Sequence, residues 1–188
     1  RTAPYEKARP PPSFLTPTRL KRQEEALTEA GDRTTRQDYR QTPALIVGDL
    51  AHRFLQNWNF STNANRFGDE LHDWIAGALP SEFQPSRGKI ESELQEIFAA
   101  FIHSNAYAEL AGAHILGREV PLVMPWNGQI MEGVIDLIYE RNGLLCLADY
   151  KTDRIGRNEL RQEAERYRLQ AEIYSQAVAQ SLRRKPAA

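Results

Sequence analysis

The stretch GVIDLIYERNGLLCLADYKTD, from Gly133 to Asp153, decides the fold of this chain. Apolar residues dominate it, and the pair Asn142-Gly143 divides it into two halves. Asn-Gly is the dipeptide typical of a tight type I′ turn, so the halves should pair as antiparallel strands. Asn127-Gly128 predicts another such hairpin upstream. The sequence therefore predicts a three-strand antiparallel meander with strands at 118–125, 129–139 and 144–150.

Helices are predicted on both sides of this meander. Residues 158–182 contain no glycine or proline and carry apolar side chains at helical spacing, which predicts one long helix. The N-terminal half is predicted to be mostly helical, with a polar loop at 31–42. Its helices are expected at 18–30, 43–58, 66–79 and 87–105. The fold class is therefore mixed α/β (α+β): a central antiparallel meander flanked by helices.

The beginning of the chain predicts a proline-rich linker over residues 1–15. Prolines at positions 4 and 10–12 fix φ and remove backbone donors. The remaining residues, 16–188, are enough for one domain with its own core. Because the chain begins with arginine instead of methionine, we expect a piece of a longer protein with a preceding domain.

Composition narrows the function classes. The formal net charge is -1 and the pI is near 6.5, so any affinity for nucleic acid must come from local patches. Cys146 is the only cysteine, which excludes an internal disulfide and a four-cysteine zinc or iron–sulfur site. No apolar run approaches the ~20 residues that a membrane span needs. We expect a cytoplasmic protein with no membrane partner.

Two aspartates and a lysine interrupt the paired apolar strands. Asp136 lies six positions before Asn142 and Asp149 six positions after Gly143, so the hairpin places the two aspartates opposite each other. Lys151 follows closely. Phosphodiester hydrolysis needs a cation on the phosphate and a positive group near the transition state, and carboxylates with a lysine meet that need. Burying two carboxylates without a cation is costly.

These charged residues also have ordinary structural explanations. Asp149 and Lys151 could mark an exposed strand end, where charges are common and D-x-K matches are frequent. Asp136 could be an edge-strand charge that discourages aggregation. The residues alone leave both interpretations open.

Two predicted helices carry further candidates. His52 lies on the apolar helix at 43–58, where a histidine is more often a packed side chain than a metal ligand. Tyr167, Gln170 and Tyr174 share one side of the last helix, as a half-buried amphipathic stripe also would. Ordinary packed histidines are expected at His72, His103 and His114.

Four motifs follow one another along the chain. Each motif alone would be common by chance. All four in this order, on these predicted helices and strands, are specific for one family of proteins. The motifs are GDLAHRFL at Gly48–Leu55, GVID at Gly133–Asp136, DYKT at Asp149–Thr152 and QAEIY at Gln170–Tyr174. Over about residues 44–182 the chain resembles the RecB-type nuclease domain of the PD-(D/E)XK superfamily, found at the C-terminus of bacterial helicase-nucleases.

The resemblance implies a metal centre. It implies Mg²⁺ or Mn²⁺ bound by protein ligands, with Lys151 positioning the attacking water or stabilising the transition state. An imidazole ligand favours manganese somewhat over magnesium. The implied ligands are His52, Asp136, Asp149 and the backbone carbonyl of Tyr150.

The resemblance also implies a DNA-binding side. It assigns Gln170 and Tyr174 to that side, and Tyr167 is a further candidate there. Glu119, which opens the first strand, matches a residue frequent in the family and is a candidate accessory residue. Arginines around the last helix are candidate phosphate contacts. They are Arg154, Arg157, Arg161, Arg166 and Arg168.

The implied function is cleavage of DNA, with single strands as the expected substrate. The chain would be the nuclease domain of a helicase-nuclease that acts in double-strand-break repair and recombination in a bacterial cytoplasm. Its expected partners are DNA, a helicase domain in the parent chain and a second helicase-nuclease subunit. Relatives with an iron–sulfur cluster need four cysteines, so with Cys146 alone we expect no cluster.

Two alternatives come from other functional classes. A catalytically silent nuclease fold could serve as a DNA-binding module, although such relics usually lose an acidic residue or the lysine. The domain could also dock a recombinase onto the resected strand, alongside cleavage or instead of it. Metal-dependent degradation of DNA separates cleavage from both.

The C-terminal end departs from the family pattern. RecB-like domains usually continue from the last helix into another strand, whereas this chain ends at Lys185-Pro-Ala-Ala. We expect that strand to be missing or to lie elsewhere. The basic cluster Arg183, Arg184 and Lys185 is expected to be an exposed tail whose charge could contact phosphate.

Overall fold

The computed structural model describes residues 14–16, 43–62, 64–152 and 160–187. Several sequence predictions lie outside these ranges: the helix at 18–30, the loop at 31–42 and the position of Arg154. Within the described residues the fold is a sheet with helices on both faces, as predicted. No helix in these ranges is both long enough and apolar enough to cross a membrane.

Four helices precede the meander: α1 (Pro43–Asn57), α2 (Phe67–Ala78), α3 (Arg87–Ile102) and α4 (Asn105–Ala111). The first two confirm the predicted helices closely. The predicted helix at 87–105 is wrong at its end, because the Ser104 side chain accepts a hydrogen bond from the Tyr107 backbone N–H. Serine is a favoured N-cap, so it begins a new helix, α4.

The meander consists of β2 (His114–Trp126), β3 (Gln129–Arg141) and β4 (Leu144–Ala148). Both predicted turns have positive φ at their two central residues, 48° and 78° at Asn127-Gly128 and 51° and 78° at Asn142-Gly143. Type I′ turns require that conformation, which asparagine and glycine adopt most readily. The strands pair antiparallel as predicted, although β4 ends two residues before position 150.

A short strand, β1 (Phe14–Leu15), pairs parallel to β3 at Ile130 and Met131. It lies on the same side of β3 as β4, while β2 lies on the other side. Phe14 and Leu15 thus join the sheet although they fall within the predicted linker. The backbone at the start of β3 gains hydrogen-bonding partners from this strand.

The sheet separates two apolar clusters. Helices α1 to α4 pack on one face with Leu137 and Tyr139, and α5 (Leu160–Leu182) packs on the other with Ile138 and Leu145. β3 is consequently buried without a break from position 135 to position 139. A strand covered on both faces has a continuous apolar run, which is why an aspartate within it stands out.

The end of α1 is tied to the sheet by an arginine. Arg118 of β2 donates to the carbonyl oxygens of Leu55 at 2.5 Å and Trp58 at 2.7 Å. The last carbonyls of a helix have no partner within the helix, so the guanidinium satisfies them. This contact fixes α1 against β2.

The tail after α5 turns back beside β4. Ala187 donates its backbone N–H to the Leu145 carbonyl at 2.7 Å, and Arg184 contacts Glu140 at 2.7 Å. The side chains of Arg183, Arg184 and Lys185 are exposed, in agreement with the prediction of an exposed basic tail. The backbone of that tail, however, is attached to the edge of the sheet.

Candidate active site

Polar residues from five elements converge where β4 ends. α1 contributes His52, β2 contributes Glu119 and β3 contributes Asp136. The segment after β4 contributes Asp149 and Lys151. The α5 residues on this side are Tyr167, Gln170 and Tyr174.

Asp136 is the one buried charged residue among those whose burial the structure describes. Its carboxylate accepts the backbone N–H of Tyr150 at 2.6 Å and lies 3.5 Å from Nδ1 of His52. A buried carboxylate costs free energy unless hydrogen bonds or a cation compensate it. Asp136 thus occupies a buried position in an apolar strand, where the Tyr150 N–H and His52 compensate its charge.

His52, Glu119 and Asp136 form a cluster of metal-type donors. Each offers one ligand atom, and the three atoms lie within 4.8 Å of one another. One imidazole nitrogen and two carboxylate oxygens suit a divalent cation such as Mn²⁺, and oxygen-rich sets also suit Mg²⁺. The donor set therefore fits the metal that the resemblance implies.

Glu119 has a larger part in this cluster than the sequence prediction gave it. The register that pairs Arg118 with Leu137 and Val120 with Ile135 brings Glu119 opposite Asp136. Its φ of 47° lies in the left-handed region, which is uncommon for a residue other than glycine. Such strain occurs most often at functional sites. The register of β2 with β3 is the sequence signal that could have placed Glu119 near Asp136, whereas no sequence pattern predicts its left-handed φ.

Asp149 is held by different partners. The pairing of β3 with β4 ends at Leu137 and Ala148, and Asp136 and Asp149 are the residues next to that last pair. One carboxylate oxygen accepts a hydrogen bond from Gln170 at 2.8 Å, and the other forms an ion pair with Lys151. Asp149 is therefore a neighbour of the donor cluster and lies outside the trio itself.

The α5 residues form a connected network on this side. The Gln170 amide nitrogen lies 2.8 Å from Asp149 and 3.0 Å from the Tyr174 hydroxyl. The Tyr167 ring lies beside Lys151, with 4.6 Å between the ring centroid and Nζ. The three helix residues predicted for one side thus lie together at the site.

Two motif glycines allow the motifs to approach one another. A Cβ on Gly133 would lie 3.3 Å from a ring carbon of Tyr174, which brings GVID against QAEIY. A Cβ on Gly48 would lie 3.3 Å from the Thr152 hydroxyl, which brings the α1 motif against DYKT. Both distances are tight for a side chain, so glycine permits the close packing that assembles the site.

The electrostatics of the site are those of crowded carboxylates. Hydrogen bonding to Asp136 raises the pKa of His52 above its usual value, although burial opposes this. Burial and the charge of Asp136 raise the pKa of Glu119. Burial also raises the pKa of Asp149, against the effect of Lys151. A bound cation would relieve this accumulation of negative charge.

A groove of about 930 Å³ opens beside the site. Its lining includes Asp149, Lys151 and the α5 residues Tyr167, Gln170 and Tyr174. Among the candidate phosphate contacts, Arg168 is exposed and pairs with Glu165 and Glu172 on its own helix. The groove gives Asp149, Lys151 and Gln170 access from solvent.

Comparison with known proteins identifies the fold family. The model of the PD-(D/E)XK nuclease superfamily matches residues 20–188. The chain belongs to this superfamily. The match confirms the predicted family and the mixed α/β nuclease fold.

Curated relatives extend the comparison. The chain is similar to an ATP-dependent helicase/nuclease subunit of Staphylococcus aureus, in strains JH9 and JH1, with 28% identity over 151 residues in each case. The alignment covers 70% of this chain and 12% of each relative. The PD-(D/E)XK domain described here thus corresponds to a small part of the length of these relatives.

Proposed function

We propose that this PD-(D/E)XK domain is a metal-dependent deoxyribonuclease that hydrolyses phosphodiester bonds in single-stranded DNA. The observation that carries the proposal is the convergence of His52, Glu119 and Asp136 within 4.8 Å, beside the ion pair of Asp149 and Lys151. A donor cluster next to a lysine is the combination that phosphodiester hydrolysis requires.

The proposed cofactor is Mg²⁺ or Mn²⁺. His52, Glu119 and Asp136 would hold it, and Asp149 and the backbone carbonyl of Tyr150 are the proposed additional ligands. When bound, the ion supplies charge neutralisation at the scissile phosphate and lowers the pKa of water. No iron–sulfur cluster belongs to this proposal, since the chain has one cysteine.

Lys151 is the proposed catalytic cation of the chain itself. Its ammonium lies at Asp149, with about a third of the side chain exposed toward the groove. There it would stabilise charge on the phosphate oxygens or orient the attacking water. Asp136 and Asp149 supply the carboxylate groups that face this positive charge.

The proposed substrate is an unpaired DNA strand. Gln170 and Tyr174, the residues proposed for the DNA side, line the groove, with the Tyr174 side chain buried at its wall. The partly buried ring of Trp126 also lines the groove, and aromatic side chains bind the bases of unpaired strands by stacking. With a net charge of -1, the domain would depend on local cations, for which we propose Arg154, and its binding would weaken with salt.

The biological setting proposed here follows the relatives. They are named as subunits of an ATP-dependent helicase/nuclease, and this chain matches 12% of their length. We infer that the domain functions within such a protein, next to a helicase domain and a second subunit, in repair of double-strand breaks in the bacterial cytoplasm. Tethering would raise the local DNA concentration, so weak intrinsic affinity would suffice.

The proposal is tested with the purified chain and a fluorescently labelled single-stranded oligonucleotide at low salt. We expect cleavage with Mn²⁺ or Mg²⁺, none with EDTA, slower cleavage of a duplex, and none by Asp136→Asn. DNA binding without cleavage at any metal concentration would instead favour a silent binding module. Equal cleavage by wild type and Asp136→Asn would reject this site.

A further inference from the structure

The ring of Tyr167 and the ammonium of Lys151 are in direct contact. Nζ of Lys151 lies 4.6 Å from the ring centroid, within the range in which the ring face attracts a cation. The two residues come from different elements, since Tyr167 belongs to α5 and Lys151 follows β4. Helix α5 thereby reaches the lysine across the site.

Lys151 needs such a contact more than a residue within a strand would. It lies three positions after the end of β4, so no sheet pairing fixes its backbone. Its side chain has four rotatable bonds, and about a third of it is exposed. The ion pair with Asp149 fixes the ammonium at one point only, and the flexible lysine side chain can make that contact in several rotamers.

The Tyr167 ring gives the Lys151 ammonium a second contact, in addition to Asp149. Asp149 is itself held from α5 by Gln170, at 2.8 Å, and Gln170 lies one helical turn from Tyr167. The same helix therefore contacts both the lysine and its carboxylate partner. A movement of Lys151 would therefore be opposed by the contacts that hold Asp149, and a movement of Asp149 by the contact that holds Lys151.

We propose that Tyr167 is a positioning residue that fixes the ammonium of Lys151 for catalysis through the face of its ring. The inference rests on the catalytic role proposed above for Lys151. It assigns Tyr167 a function distinct from contact with DNA. A positioning ring acts on the rate of the chemical step, whereas a DNA contact acts on substrate binding.

Kinetics of three variants separate these two roles. Tyr167→Leu removes the ring and should lower kcat roughly 3- to 30-fold with little change in KM, as expected for loss of one cation–π contact. Tyr167→Phe keeps the ring and should retain the wild-type kcat. Gln180→Ala, an exposed change on the same helix outside the groove lining, is the matched control for helix integrity.

A spectroscopic measurement tests the contact without activity. The lysines are reductively dimethylated with ¹³C-formaldehyde and a borane reductant, which keeps their charge, and the Lys151 methyl signal is assigned with Lys151→Arg. A ring face shifts that signal upfield. The upfield shift should persist in Tyr167→Phe and vanish in Tyr167→Leu, while the signal of Lys89, on α3, stays constant.

The outcomes are distinguishable. A rise in KM with unchanged kcat in Tyr167→Leu would make Tyr167 a DNA contact and overturn the inference. A Lys151 signal that does not move in Tyr167→Leu would overturn the contact itself, whether or not the chain is active. An inactive wild type with the expected methyl shifts would reject the proposed function, and with it the catalytic role on which the inference depends.

Discussion

Asp136 and Asp149 lie next to the last residue pair of β3 and β4, but the protein holds them in different ways. The Asp136 side chain is 8% exposed and is bound by a backbone N–H and by His52. The Asp149 side chain is 25% exposed and is bound by two other side chains, Gln170 and Lys151. The backbone just after β4 and His52 of α1 therefore hold Asp136, whereas α5 and Lys151 hold Asp149.

The largest effect is expected at the backbone-held aspartate. Asp136→Asn keeps an oxygen for the Tyr150 N–H but removes the charge, so cleavage should fall on the order of 10³-fold or more. Metal affinity, measured by calorimetry with Mn²⁺, should fall with it. Without metal the variant should unfold at an equal or higher urea concentration, because a buried charge is gone. Wild-type metal affinity would contradict the assignment.

Lys151→Ala removes the ion-pair partner of Asp149 and so tests the second aspartate of the comparison. We expect the single-turnover rate to fall about 10²- to 10³-fold, the range for loss of a group that stabilises transition-state charge. Metal affinity should stay at the wild-type level, because an ammonium is not a ligand. The exposed Lys89→Ala is the control. If metal affinity fell as much as the rate, Lys151 would act through the metal site instead.

His52→Ala should lower metal affinity first and the cleavage rate less, which is the reverse of the effect expected for Lys151→Ala. Loss of a donor next to Asp136 should weaken Mn²⁺ binding about 10- to 100-fold, while excess Mn²⁺ restores part of the activity. The expectation of a packed side chain at His72 is wrong, because this histidine is largely exposed and pairs with Glu91, so His72→Ala is the matched control. If no Mn²⁺ concentration restores cleavage, His52 has a structural role.

The smallest effect is expected at the Tyr150 side chain. Tyr150 follows Asp149 in the chain, and its backbone N–H donates to Asp136. Its hydroxyl is buried without a hydrogen-bonding partner among the described residues, and burial raises its pKa. Tyr150→Phe removes an unsatisfied polar group, so stability should stay equal or rise by about 1 kcal/mol. Cleavage should not change. Urea unfolding and a rate measurement check both, and a clear loss of stability would reveal a hydrogen bond.

The sequence predicts the sheet-held half of the site well. Asn142-Gly143 defines the turn, the turn defines the register, and the register places Asp136 opposite Asp149. That inference uses only local turn chemistry and the period of a strand. The apolar run of β3 adds the burial, since an aspartate inside it must be compensated.

The remaining features depend on tertiary structure. The left-handed conformation of Glu119 is absent from any local pattern, although the register set by Asn127-Gly128 could have placed this residue near Asp136. The break between α3 and α4 depends on one capping contact of Ser104. β1 is two residues long, too short for periodicity to identify. The contact of Tyr167 with Lys151 joins two elements whose relative placement the sequence does not state.

The tie between Arg118 and the end of α1 has a consequence for the order in which the protein assembles. Arg118 reaches back 63 residues to Leu55 and 60 residues to Trp58. His52 therefore leaves the ribosome long before the strand that anchors its helix. Contacts of such long sequence separation form only after the intervening chain has closed a loop, which costs entropy. The nascent chain thus carries His52 without Glu119 and Asp136, the other two residues of the donor cluster, until β2 and β3 have been synthesised.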